Sequence, residues 1–137
     1  MSIKFGIYKC KVCGNIVQTL INGEGELVCC GEEMELLEYK YEENELGEIH
    51  VPEIYELHEG CETGICKEVK YVSVRKHPMT EEHYIQFIEV FDKEKSELRI
   101  KFFKPNETAE YNITDFNNVQ LALELCNIHG LWRNKND

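Results

Sequence analysis

The chain has 137 residues, 42% of them hydrophobic, enough for one domain with a core and a small metal-bound module. A formal net charge of -11 argues against nucleic acid and anionic membrane surfaces as partners. No apolar run is long enough to span a bilayer, and Met1-Ser2-Ile3-Lys4-Phe5 lacks the apolar block of a secretion signal, so the expected location is cytoplasmic. Seven cysteines in that setting point to metal ligands before disulfides.

Residues 1–38 read as a small metal-bound module. Tyr8-Lys9-Cys10-Lys11-Val12-Cys13-Gly14 has the form of a knuckle, in which two intervening residues let the backbone curl and both sulfurs meet one ion. Gly14 permits the tight turn that follows. Cys29 and Cys30 complete four thiolates, a set that suits zinc or a single iron. Neighbouring side chains usually project apart, so this adjacent pair needs a distorted turn, and Gly31 behind it fits that need. Ile3, Phe5 and Ile7 alternate as a strand, as do Leu27 and Cys29, with Asn22-Gly23 and Glu24-Gly25 as turns. Residues 39–48, polar and acidic at first, read as a linker and site-covering loop.

Residues 49–137 are predicted to be mostly β. Val69 to Val74, His83 to Phe91, Leu98 to Phe103, Ala109 to Ile113 and Val119 to Leu125 carry strand patterns, and the run from His83 is apolar on both sides, as a central strand would be. Short strands with polar turns predict an all-β chain whose second domain is an immunoglobulin-like antiparallel sandwich. In that scheme His77 follows a strand, His83 begins the next and Cys126 ends the last, so His50, His77, His83, Cys126 and His129 gather at strand ends and loops. Four imidazoles and one thiolate suit iron, zinc or copper. Five ligands are too many for a structural zinc and leave one face of the ion open for redox chemistry on a small molecule. His58 lacks a companion motif and reads as a solvated loop residue.

The motifs at Cys10 to Gly14 and Cys29-Cys30, together with Glu48-Ile49-His50-Val51-Pro52, His77-Pro78-Met79-Thr80-Glu81-Glu82-His83 and Cys126-Asn127-Ile128-His129-Gly130-Leu131-Trp132, resemble those of the desulfoferrodoxin family, two-domain superoxide reductases, over the whole chain. The resemblance implies a desulforedoxin-like, rubredoxin-type first domain whose Cys10, Cys13, Cys29 and Cys30 hold one iron. It implies a second mononuclear iron held by His50, His77, His83 and His129, with Cys126 as axial thiolate. Glu48 matches the glutamate that fills the sixth position in the oxidised family site. The implied activity is one-electron reduction of superoxide to hydrogen peroxide, with a rubredoxin-like electron donor and a homodimeric assembly. The family loop carries a lysine where this chain has Ile49, and a neighbouring cation, Lys76 or Arg75, is the candidate replacement; the plainer reading makes both ordinary solvated residues. If the lost lysine removes superoxide activity, the chain is a rubredoxin-like electron carrier; a third reading is a zinc-stabilised binding protein. The segment His58 to Cys66 is longer than the family loop, and its Cys61 and Cys66 are expected as two free thiols, with a redox-sensitive clasp near the site as the alternative.

Overall fold

The computed structural model describes residues 2–64 and 66–135, apart from the Thr63 side chain, and divides them into two compact units, one ending at Glu38 and the other starting at Tyr39. In the first, β1 (Ile7–Lys9) lies between β2 (Ile16–Gln18) and β5 (Glu35–Leu36), antiparallel to both, with Tyr8 opposite Val17 and Leu36. Ile7, Tyr8 and Cys10 are its buried apolar side chains, too few for a free-standing core. The strand expected from Ile3 is absent: Phe5 has φ 62, Gly6 N donates to Ile3 O at 3.1 Å, and the segment turns. A Cβ on Gly6 would come within 2.7 Å of Ile3, so only glycine fits that turn.

A separate hairpin joins β3 (Val28–Cys29) to β4 (Glu32–Glu33). Its two loop residues, Cys30 and Gly31, have φ 54 and 76. Two left-handed residues in succession give a tight hairpin turn. That turn is the distortion the adjacent cysteines demand.

The second unit is the expected antiparallel sandwich. One sheet has the order β10 (Glu110–Asn112), β7 (Lys67–Ser73), β6 (Glu53–Glu59). The other has the order β12 (Gly130–Arg133), β11 (Val119–Cys126), β8 (Ile85–Asp92), β9 (Leu98–Phe102). Val72 from the first sheet and Val74 just after it pack with Ile88, Val90 and Ala122 from the second, and Phe103, Ile113 and Phe116 close the core. Three local expectations are corrected. Cys126 ends the penultimate strand, because Gly130 at φ 86 turns the chain into β12. His83 precedes β8, held in a short loop in which Thr80 and His83 exchange backbone hydrogen bonds of 2.9 and 3.3 Å. His58 lies on β6, exposed and opposite Glu68, rather than in a loop.

Residues 39–48 are folded onto this unit. Lys40 makes a parallel bridge with Trp132, and α1 (Glu45–His50) follows. Asn44 caps the helix by accepting from Gly47 N at 3.0 Å. His50 is therefore helical, not part of a strand.

The β6–β7 hairpin is paired without interruption from Glu53 opposite Ser73 to Glu59 opposite Lys67. At its tip Gly60 and Gly64, at φ 76 and 89, flank a 3₁₀ turn (Cys61–Thr63). This bend brings the α-carbons of Cys61 and Cys66 to 4.2 Å, and the two are joined as a disulfide, not the free thiols expected. The clasp is also remote from His50 and His77, which flank the hairpin's other end; seven residue pairs span about 20 Å. Among the described residues no helix is long and apolar enough to cross a membrane.

A Cβ at Gly47 would lie 1.7 Å from Glu42 O. Gly47→Ala therefore displaces the start of α1, is expected to cost about 1–3 kcal/mol by overpacking, and carries His50 out of place. Urea denaturation and the iron content of the purified variant check both effects.

Candidate metal centres

Four sulfurs meet in the first unit. Sγ of Cys10, Cys13, Cys29 and Cys30 all lie within 4.8 Å of one another, with Cys13 to Cys29 at 3.6 Å and Cys29 to Cys30 at 3.9 Å. The knuckle acts through its backbone: Cys13 N donates to Cys10 Sγ at 3.5 Å and Gly14 N donates to Cys10 O at 3.0 Å. The Cys13 amide lowers the Cys10 thiol to about 6. Hydrogen bonding to Cys13, then Cys29, pushes Cys30 up to about 12. One thiolate is welcomed and a second is resisted, which is how a crowded sulfur cluster behaves without a cation to neutralise it. The donor set and spacing fit one iron ion.

The second cluster forms where four segments of the sandwich converge. His50 ends α1, His77 follows β7, His83 precedes β8, and Cys126 and His129 flank the turn between β11 and β12. Nε2 of His77 and Nε2 of His83 each lie 3.2 Å from Cys126 Sγ. Nε2 of His50 is 3.2 Å from Nδ1 of His129, which is 3.8 Å from the same sulfur. Donor atoms of His50, His83, His129 and Cys126 all lie within 4.8 Å of one another; His77 joins the group through its contact with the sulfur.

The outer ring nitrogens fix the inner ones. His50 Nδ1 donates to Leu46 O at 2.8 Å, and His77 Nδ1 donates to Pro78 O at 2.6 Å. Each leaves a lone pair on Nε2 facing inward, the arrangement that a metal-binding imidazole needs. Burial drives His77 down to about 4 and lowers His50 and His83 below the ordinary imidazole value. The rings therefore stay neutral and able to donate. Burial also pushes up the Cys126 thiol, against the backbone amides of His129 and Ile128. Inward-facing ring nitrogens beside a buried sulfur gain little from one another, and a soft or borderline cation satisfies them all.

Some supporting residues carry no chemical signal of their own in the sequence. The Asn127 amide donates to Glu82 O and accepts from Tyr84 N, both at 3.0 Å, and so ties the His83 loop to the Cys126 turn. Trp132 stacks on His50 at 4.8 Å, and its indole donates to His129 O at 3.1 Å. Lys40 donates to the same carbonyl at 3.0 Å. Glu124, two residues before Cys126, is fully buried with neither carboxyl oxygen hydrogen-bonded; burial alone raises it well above the carboxylate range, so it is held as the neutral acid.

The two candidate cations engage different partners. Arg75 lies over the Tyr55 ring at 4.2 Å and donates to Tyr71 OH at 3.2 Å. Lys76 is ion-paired with Glu48. That pair lines a recess of about 230 Å³ together with Arg75, Tyr55, Val51 and Val74. Ile49 is half-buried beside Asn44, Glu45 and Leu46.

The pH dependence of metal-free protein follows from His77. Folded, it takes a proton near pH 4; unfolded, near its ordinary 6.5. Between those values the unfolded chain binds more protons, so stability falls as the pH drops from about 6.5 to about 4, by about 3 kcal/mol from this residue alone. Urea titrations of chelator-stripped protein at neutral and mildly acidic pH, followed by far-UV circular dichroism, check the sign.

Comparison with known proteins agrees with both sites. Residues 2–37 match the family described as desulfoferrodoxin, N-terminal domain, and residues 42–135 match the family described as desulfoferrodoxin. The desulfoferrodoxin homolog of Archaeoglobus fulgidus is 43% identical over 127 residues, covering 93% of this chain and 94% of that protein. Desulfoferrodoxin of Desulfarculus baarsii is 40% identical over 139 residues, covering 99% and 100%. The crystal structure of the superoxide reductase from Treponema pallidum shares the fold, with a TM-score of 0.67 at 20% identity over 95% of this chain and 97% of that one. With the Cys10, Cys13, Cys29 and Cys30 cluster and the His50, His83, His129 and Cys126 cluster fitting the family's two iron sites, the chain belongs to the desulfoferrodoxin family.

Proposed function

We propose that this protein is a superoxide reductase, joining one superoxide, one electron and two protons into hydrogen peroxide. The observation that carries the reading is the convergence of inward-facing imidazoles from four segments on the buried sulfur of Cys126. Iron bound there by His50, His77, His83, His129 and Cys126 supplies the single electron. The chain's own residues do the rest. Carbonyls of Leu46 and Pro78 hold two rings in the donating tautomer. Asn127 and Trp132 hold the loops that carry the other ligands. The buried sulfur, kept as thiolate only by a neighbouring cation, directs electron density toward the ion.

Lys76 and Glu48 govern approach to the site in this reading. Lys76 stands in for the family lysine that Ile49 replaces, offering positive charge to an incoming anion on an otherwise acidic chain. Glu48 pairs with it at rest, two residues before His50 in α1, where it competes with the anion for the same charge. Water at the exposed pair supplies protons. The first unit holds a second iron, a rubredoxin-like protein is the donor, and a cytoplasmic homodimer is the working form. A rubredoxin-like carrier with little superoxide activity is the second reading; it is favoured by the engagement of Lys76 with Glu48, which neutralises the charge that capture of an anion needs.

Reduced, iron-loaded protein mixed with superoxide under argon tests the main reading. One hydrogen peroxide per superoxide, with no oxygen released, supports it; consumption at the buffer rate leaves the electron carrier. Cys126→Ser is expected to abolish the reaction while keeping the visible absorption of the first unit's iron. Lys76→Met is expected to slow capture by about three- to ten-fold and flatten its dependence on ionic strength. An unchanged rate and slope would remove Lys76 from the proposal.

A further inference from the structure

The disulfide between Cys61 and Cys66 takes no part in either metal cluster. The other five cysteines divide between those clusters as Cys10, Cys13, Cys29, Cys30 and Cys126. This pair sits at the hairpin tip, about 20 Å of strand away from the end that His50 and His77 flank, and both of its residues are exposed. From Glu56 to Glu59 the neighbouring strand is exposed too, and no residue of the tip belongs to the core cluster. The bond therefore ties together two neighbouring points of an exposed tip and holds no part of the core in place.

Two features keep the cysteines together whether or not they are bonded. The ladder runs unbroken to Glu59 opposite Lys67, one residue short of Gly60 and directly after Cys66. Gly60 and Gly64 take the left-handed conformations that fold the loop back on itself. Reduction would leave two thiols held in register at short range, so re-closure is intramolecular and favoured by proximity.

We propose that Cys61 and Cys66 form a reversible dithiol–disulfide couple, a thiol-exchange site separate from the metal chemistry. An incoming thiolate attacks one sulfur of the pair, the bond between Cys61 and Cys66 breaks, and the departing sulfur takes a proton. A second thiolate, from the same dithiol or from a second monothiol, then attacks the mixed disulfide and releases the other sulfur, which also takes a proton. Two electrons pass from the reductant to the pair, and the reductant leaves as a disulfide. The reverse exchange, with an oxidised disulfide, closes the pair again. The shared chemistry is a thiolate nucleophile, supplied either by a small monothiol or by a dithiol.

The test uses the full, metal-loaded chain under argon. Protein is equilibrated with dithiothreitol in one arm and glutathione in the other, alkylated with iodoacetamide without denaturant, and mapped by mass spectrometry. The expected result is alkylation of Cys61 and Cys66 together, with unchanged visible absorption, reversed by oxidised glutathione before alkylation. Reduction by glutathione identifies the monothiol as sufficient; reduction by dithiothreitol alone identifies a dithiol, and either supports the couple. Failure of both reductants on native protein that does label once unfolded would show an inaccessible staple and overturn the proposal. Thiols that label but never re-close would overturn it equally. The Cys61→Ser, Cys66→Ser double variant controls the assignment: it should keep the same visible spectrum and gain no alkyl groups, and a gain would trace the signal to the metal clusters and end the proposal.

Discussion

Sulfur and ring-nitrogen atoms packed side by side around one point are the constraint on which the rest of this protein depends. A buried thiol beside several imidazole lone pairs is an unfavourable arrangement for a bare polypeptide. Burial raises the sulfur's proton affinity and lowers that of the rings, so the cluster is neutral and poorly satisfied. One cation relieves every member at once, which links metal binding to the stability of the sandwich. The first unit solves the same problem with less: four sulfurs, a knuckle and a two-residue turn serve in place of a core.

The sandwich exists, from the site's standpoint, to bring distant segments to one end. β7 and β8 stop short of His77 and His83, β11 delivers Cys126, and the glycine at 130 turns the chain so that His129 faces back toward His50. Asn127 then stitches two of those loops together with two side-chain hydrogen bonds and one backbone bond that continues the ladder of β11 and β8. The buried neutral Glu124 is tolerated in the interior of β11 with no hydrogen-bonding partner for its carboxyl among the described residues.

Chemistry was legible in the sequence where residue type and spacing carry it. Cys10 with Cys13, Cys126 with His129, and the alternation of β7, β9 and β11 are local patterns, and the fold class follows from them. What escaped depends on backbone conformation or on long-range packing. Ile3, Phe5 and Ile7 alternate, but Phe5 turns left-handed and ends the strand before it starts. His50 reads as the start of a β domain, yet the Asn44 cap and the close approach of Gly47 to Glu42 make a short helix there. Lys40 sits in a polar stretch indistinguishable from a linker; its contact with the His129 carbonyl spans most of the second unit's sequence. The Cys61 and Cys66 pairing turns on two glycine conformations that composition does not reveal.

The parallel bridge between Lys40 and Trp132 bears on how such chains are assembled from parts. The segment just after the cysteine module already bridges the second unit at Trp132, whose indole stacks against His50. A graft that exchanged the rubredoxin-like half for another module, or dispensed with it, would have to cut ahead of Tyr39. A junction placed a few residues later, in what composition marks as spacer, would strip the imidazole ring cluster of its outer brace.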